Sequence, residues 1–174
     1  YAREIMQLFS IGLSELNPDG SVKLDSLGQA IPTYDQKDIK ELAKVFTGLG
    51  LGAVVPNMYT DTAVFGMGIY LADMTKPMRM YEFWHEPGEK IMLDGSIIPS
   101  GQRGMKDIQD AVNFLFNHPN VGPFIGRQLI QRLIKSNPSP DYIERVTNVF
   151  NNDGKGVRGN LGAVIKAILM DPEA

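Results

Sequence analysis

With 174 residues and 43% apolar side chains, the chain has enough material for one core of ordinary size. Its formal charge of -3, with both signs interspersed, supplies no basic field for nucleic acid, and the lack of cysteine excludes disulfides and thiolate metal sites. Lys, Arg, Asp or Gly interrupts every hydrophobic run before the ~20 residues that a membrane span requires.

Ala2, Ile5, Met6 and Phe9 recur at helical spacing and predict an amphipathic helix over residues 1–11, with Arg3, Glu4 and Gln7 on its polar face. Tyr1 already stands inside that pattern, so the segment is expected to be the C-terminal part of a longer helical chain. Gly12 ends the helix, Asn17-Pro18-Asp19-Gly20 is a turn, and the stretch to Pro32 is a loop or short hairpin. Asp35 is placed to cap a second helix that buries Ile39, Leu42, Ala43 and Phe46 and stops in Gly48–Gly52. Residues 51–77, rich in Gly and Met, hold neither period and read as an irregular excursion. β-favouring residues in 78–84 and 90–98 lie around Asp94-Gly95, a dipeptide suited to the positive φ angles of a two-residue hairpin turn.

Four helical segments with short connections follow. Met105, Ile108, Val112, Leu115 and Phe116 make the first stripe, which His118-Pro119 ends because the residue before proline is pushed out of the α region. Ile125, Leu129, Ile130, Leu133 and Ile134 make the second. Ser139-Pro140 opens the third, burying Ile143, Val146 and Phe150, and Asn160 caps the last, with Leu161, Val164, Ile165, Ile168 and Leu169 as its stripe. The fold class is therefore mainly α, a helical bundle with a small β-hairpin insertion. It is read as a single domain over 1–174, with helices in 1–50, the irregular and β excursion in 51–100, and the four helical segments in 101–174.

Five blocks then fall in register: Tyr1 to Gly12; Asp38-Ile39 to Phe46-Thr47-Gly48; His85-Glu86 with Lys90 and Leu93-Asp94-Gly95; His118-Pro119 with Phe124-Ile125; and the final Ala163 to Pro172 helix. In order and spacing the chain resembles the C-terminal half of a longer member of the bacterial domain-of-unknown-function 1800 family. The resemblance implies an exported or cell-envelope protein, and a partner similar to sulfatases, whose genes often lie beside those of the family. Two positions depart from the family pattern. His85-Glu86 stands where His-Asp is usual, and Thr47-Gly48-Leu49 where Thr-Gly-Trp is usual. The family carries no agreed activity, so the resemblance implies a fold and a set of positions and not a reaction.

The candidate chemistry centres on His85, Glu86, Glu89 and Lys90, an imidazole, two carboxylates and an ammonium beside the expected β-element. Such groups act as general base, acid and anion-binding cation where neighbours tune their proton affinity; the bland alternative is a turn with solvated charges. Glu4 joins them as a catalytic candidate, and Arg3 and Lys90 as anion-binding ones, against the alternative of a solvated helix face. Glu89 and Pro87-Gly88 rule out a His-Glu-x-x-His zinc helix. His118 reads as a cation at a helix C-terminus. Gly48-Leu49-Gly50-Leu51-Gly52 follows a helix instead of a strand and so cannot seat a dinucleotide, and the Asp153-Gly154 and Asp19-Gly20 stretches lack the acids that close a calcium loop. Met67, Met74, Met78 and Met80 read as core filler or an adaptable surface. No cofactor or metal follows from these patterns. Two functions stay open: a non-catalytic envelope- or export-associated module that binds a protein or polymer partner, and a hydrolase-like enzyme built on Arg3, Glu4, His85, Glu86 and Lys90, its site completed by the expected N-terminal half of the longer chain.

Overall fold

The computed structural model describes residues 1–52 and 72–174; Met67 and most of the expected irregular excursion lie outside them. Six α-helices stand among the described residues: α1 (Ala2–Phe9), α2 (Gln36–Val45), α3 (Gly104–Asn117), α4 (Val121–Leu133), α5 (Pro140–Asn151) and α6 (Leu161–Leu169). Among the same residues four two-residue strands make two antiparallel pairs: β1 (Leu49–Gly50) with β2 (Arg79–Met80), and β3 (Lys90–Ile91) with β4 (Ile97–Ile98). The chain is mainly α with a small β insertion, and it divides into two compact units.

The first unit comprises Tyr1, Arg3–Asp35 and Leu115–Ala174. In it α4, α5 and α6 pack on one another. The Ser139 hydroxyl accepts from the Tyr142 amide with Pro140 at the first helical position, and the Asn160 side chain accepts from the Ala163 amide. Ile143, Val146 and Phe150 from α5 and Val164 and Ile168 from α6 are buried, as their spacing predicts; Tyr142 is buried as well, while Leu161 and Leu169 of the expected α6 stripe are exposed. The inward face of α4 differs from expectation: Val121, Gly122, Pro123, Gly126 and Ile130 are buried, whereas Leu133 is exposed. A Cβ on Gly126 would lie 3.2 Å from Val146 and one on Gly122 3.1 Å from Thr147, so α5 approaches α4 across glycines that an apolar stripe does not reveal.

Residues 13–33 form a ribbon bridged at Ser14–Pro32, Leu16–Val22 and Leu24–Ala30, with Gly20 and Gly28 at positive φ in its turns. Asn120, itself 1% exposed, fastens it: its side-chain oxygen accepts from the Leu16 amide at 2.9 Å, and its nitrogen donates to the Ile11 and Ser14 carbonyls at 2.8 Å each.

The second unit comprises Ala2 and Gln36–Phe114. In α2 the buried residues are Leu42 and Val45, and Ala43 is exposed; the larger Val45 takes the inward position expected of Ala43. Gly95 is at φ +82 and Asp94 is not at positive φ, so β3 and β4 are joined by the three-residue turn Leu93-Asp94-Gly95 and not by a two-residue one, which needs positive φ at Asp94 as well. The deepest correction concerns α3. Its buried positions are Gly104, Asp107, Ala111 and Leu115, while Met105 (52%), Val112 (48%) and Phe116 (40%) of the expected core stripe are exposed.

Candidate functional site

Why α3 turns a carboxylate inward is answered by what meets it. Lys90, first residue of β3, and His85, just after a 3-10 turn at Glu82–Trp84, converge on Asp107 in the first turn of α3. The Lys90 ammonium donates to Asp107 Oδ2, and His85 Nε2 lies 3.0 Å from the same oxygen. The three side chains are 1%, 2% and 0% exposed. Gln102 Nε2 donates to the other carboxylate oxygen at 2.9 Å and to Asp110 Oδ2 at 3.2 Å. Lys90 also donates to the Glu86 carbonyl at 2.6 Å.

His85 Nδ1 faces the Thr47 carbonyl at 3.0 Å, so that nitrogen carries a proton. Nε2 then either donates to Asp107 or accepts from Lys90, whose Nζ is 3.4 Å away. Burial resists ionisation of Asp107, but the hydrogen bonds from Lys90, His85 and Gln102 outweigh it and hold its carboxyl below the ordinary value.

Two glycines admit the ring. A Cβ on Gly104 would lie 2.9 Å from His85 Nδ1, and one on Gly48 would lie 2.7 Å from the Tyr81 carbonyl and 3.0 Å from the His85 amide. The 3-10 turn is tied to α3 because the Gly104 amide donates to Glu82 Oε2 at 3.0 Å. The exposed Phe83 and Trp84 rings of that turn meet edge to face, 5.2 Å between centroids.

His85 and Lys90 are thus brought together and buried, whereas Glu86 and Glu89 are exposed and the Glu86 carboxylate accepts from the Gly88 amide at 3.0 Å. Arg3 and Glu4 are exposed on α1 and belong to the first unit. There Tyr34 has a buried hydroxyl without a hydrogen-bond partner among the described residues, raised above its usual pKa chiefly by burial, with Arg3 opposing and Glu4 adding. Asp107, Thr47 and Gln102 were missed from sequence. The available signal was the Asp107, Ala111, Leu115 spacing, which puts a carboxylate on one helical face with two apolar residues.

Two other expectations are corrected or filled in. His118 is not the cation at the end of α3: its Nδ1 accepts from the Asn120 amide at 3.1 Å. The Arg158 guanidinium serves instead, donating to the Phe116 and His118 carbonyls at 3.1 Å each and lying over the Phe116 and Phe150 rings. In the Asn152–Gly156 turn, Asn152 accepts from the Gly154 and Gly156 amides and Asp153 from those of Lys155 and Val157. Among the described residues no three His, Asp or Glu side chains are grouped to hold a metal ion, and no helix is long and apolar enough to cross a membrane.

One protein family matches the chain over residues 1–174. The chain belongs to the family described as "Protein of unknown function (DUF1800)". No curated protein and no solved structure matches it. In this DUF1800 chain, two of the segments that carry the resemblance hydrogen-bond to each other: the Glu86 amide donates to Thr47 Oγ1 at 2.8 Å, and His85 to the Thr47 carbonyl. The positions at which the chain departs from the family pattern fall beside this contact, Leu49 in β1 and Glu86 with its side chain in solvent.

Proposed function

We propose that this chain is a recognition module of an exported or envelope-associated bacterial protein, binding a protein or polymer partner through the outward face of α3 and the adjoining Phe83-Trp84 turn. The observation that carries the reading is the apolar stripe that α3 leaves in solvent. A helix that buries Asp107 and leaves Met105, Ile108 and Val112 around a surface hollow has its apolar stripe available to something other than its own core. A protein similar to sulfatases, implied by the family's usual gene neighbours, is the first protein partner to try, and isolated envelope polymer the first polymer.

The test is binding of purified chain to each, by interferometry for the protein and co-sedimentation for the polymer, using wild type and a Phe83→Ser/Met105→Gln/Val112→Gln variant. Saturable binding to one of them, weakened at least about tenfold in the variant, supports the reading. Binding to neither, or equal binding by the variant, removes it.

The second reading is a hydrolase-like enzyme, favoured by the hydrogen-bonded Lys90, Asp107 and His85 groups. Against it stands their burial: a general base must reach its substrate, and these groups spend their hydrogen bonds on one another. His85→Gln separates the two. Lost hydrolysis at unchanged melting temperature favours the enzyme, and a drop in both marks His85 as scaffold.

A further inference from the structure

In the first unit, the end of α1, the segment after it and the middle of α4 line an open cavity of about 470 Å³. Its lining includes the apolar Leu13, Leu16 and Phe124 and the polar Gln7, Arg127 and Gln128. The walls are fixed. Gly12, at φ +73, lets Phe124 lie so close that a Cβ there would fall 2.8 Å from the ring, and Asn120 ties Leu16 and Ser14 in place.

The polar groups of this lining are not satisfied from within. Among the described residues the side chains of Gln7, Arg127 and Gln128 make no hydrogen bond or ion pair and are free to meet a ligand. Each glutamine offers N–H donors and a carbonyl acceptor, the complement of a peptide unit, and the arginine fork fits a carboxylate. The cavity volume lies within the range of about 300–1,000 Å³ usual for small ligands.

We propose that this cavity binds the C-terminal end of a peptide chain whose last residue is apolar, its side chain against Leu13, Leu16 and Phe124, its last amide against Gln7 and Gln128, and its terminal carboxylate on Arg127. The site stands apart from the reading above, since the Phe83-Trp84 turn belongs to the second unit and either binding surface can fail while the other holds.

The test is a titration of the chain, followed by amide and side-chain NMR shifts, with three probes: acetyl-alanyl-leucine, its C-terminal carboxamide, and acetate. The dipeptide acid is expected to bind, moving the Gln7, Arg127 and Gln128 side-chain resonances, with the carboxamide at least about tenfold weaker and acetate weaker still. Arg127→Met should reduce the acid to the affinity of the carboxamide and leave the carboxamide unchanged; if that variant fails to fold, the acid and carboxamide comparison on wild type decides alone. Equal affinity for acid and carboxamide, acetate binding as tightly as the dipeptide, shifts confined to residues elsewhere, or no binding up to about 20 mM probe each overturns the proposal.

Discussion

The Lys90 ammonium and the Asp107 carboxylate form an ion pair in which the two side chains are 1% and 0% exposed. Taking two charges out of water costs more than their attraction returns unless further hydrogen bonds complete them, and here the Glu86 carbonyl, Gln102 and His85 do so. The pair joins β3 to the start of α3 and sets which face of that helix is buried.

Removing one partner leaves the other buried without its counter-charge. Lys90→Met and Asp107→Asn should each cost about 3–5 kcal/mol, and Lys90→Met/Asp107→Leu should cost clearly less than the sum, since apolar replacement of a whole buried pair is often near neutral. Urea unfolding of the three variants measures this. Additive losses would mean that the two groups are not coupled.

Acid should destabilise the chain with a definite sign. Asp107, Asp171 and Glu173 are all held below their ordinary values, Asp171 by the Arg145 fork and Glu173 by Ser139. A carboxyl whose folded value is depressed contributes stability above its unfolded value, about 4, and loses it as pH falls through the folded value. The urea midpoint should therefore be nearly flat from neutral to about pH 5 and fall below about pH 4, less steeply in the Lys90→Met/Asp107→Leu variant. A midpoint that rises on acidification contradicts this assignment.

Asn120→Ala strips three hydrogen bonds and leaves the Leu16 amide and the Ile11 and Ser14 carbonyls to find water. A cost of about 2–4 kcal/mol is expected, with Asn120→Asp at least as costly because it sets a buried carboxylate oxygen against the Ile11 and Ser14 carbonyls. Denaturant unfolding gives the values; a loss under about 0.5 kcal/mol for the alanine variant would show that Asn120 does not hold the ribbon.

The exposed stripe of α3 should tolerate polar residues. Met105→Gln and Val112→Gln are expected to shift stability by no more than about 0.5 kcal/mol each, whereas Ala111→Gln, on the buried face, should cost several times as much. Thermal melts of the three variants compare the faces directly.

Periodicity served best where a helix meets its neighbours through apolar side chains, and so the inward face of α5, Val164 and Ile168 of α6, and the Ser139 and Asn160 caps were readable. It failed where packing depends on something a hydrophobic count does not register. The buried face of α4 includes Gly122 and Gly126, which contribute closeness instead of apolar area. That of α3 includes a carboxylate, which looks like a solvent-facing residue until Lys90 and His85 are placed against it. For the same reason the candidate cluster was half legible. His85 and Lys90 are near in sequence and could be named together, but Asp107, which binds them both, is 17 residues beyond Lys90, and only the fold closes that distance.

The bond from the Leu16 amide to Asn120 spans 104 residues. At roughly 5–20 residues per second of synthesis, the ribbon waits on the order of 5–20 s for the side chain that fastens it. Gln36–Phe114, all of the second unit except Ala2, is complete before that moment. Translation therefore imposes an order of assembly: the unit begun second in the sequence is the first able to close, while the apolar edge of the ribbon stays open to chaperones or to premature pairing.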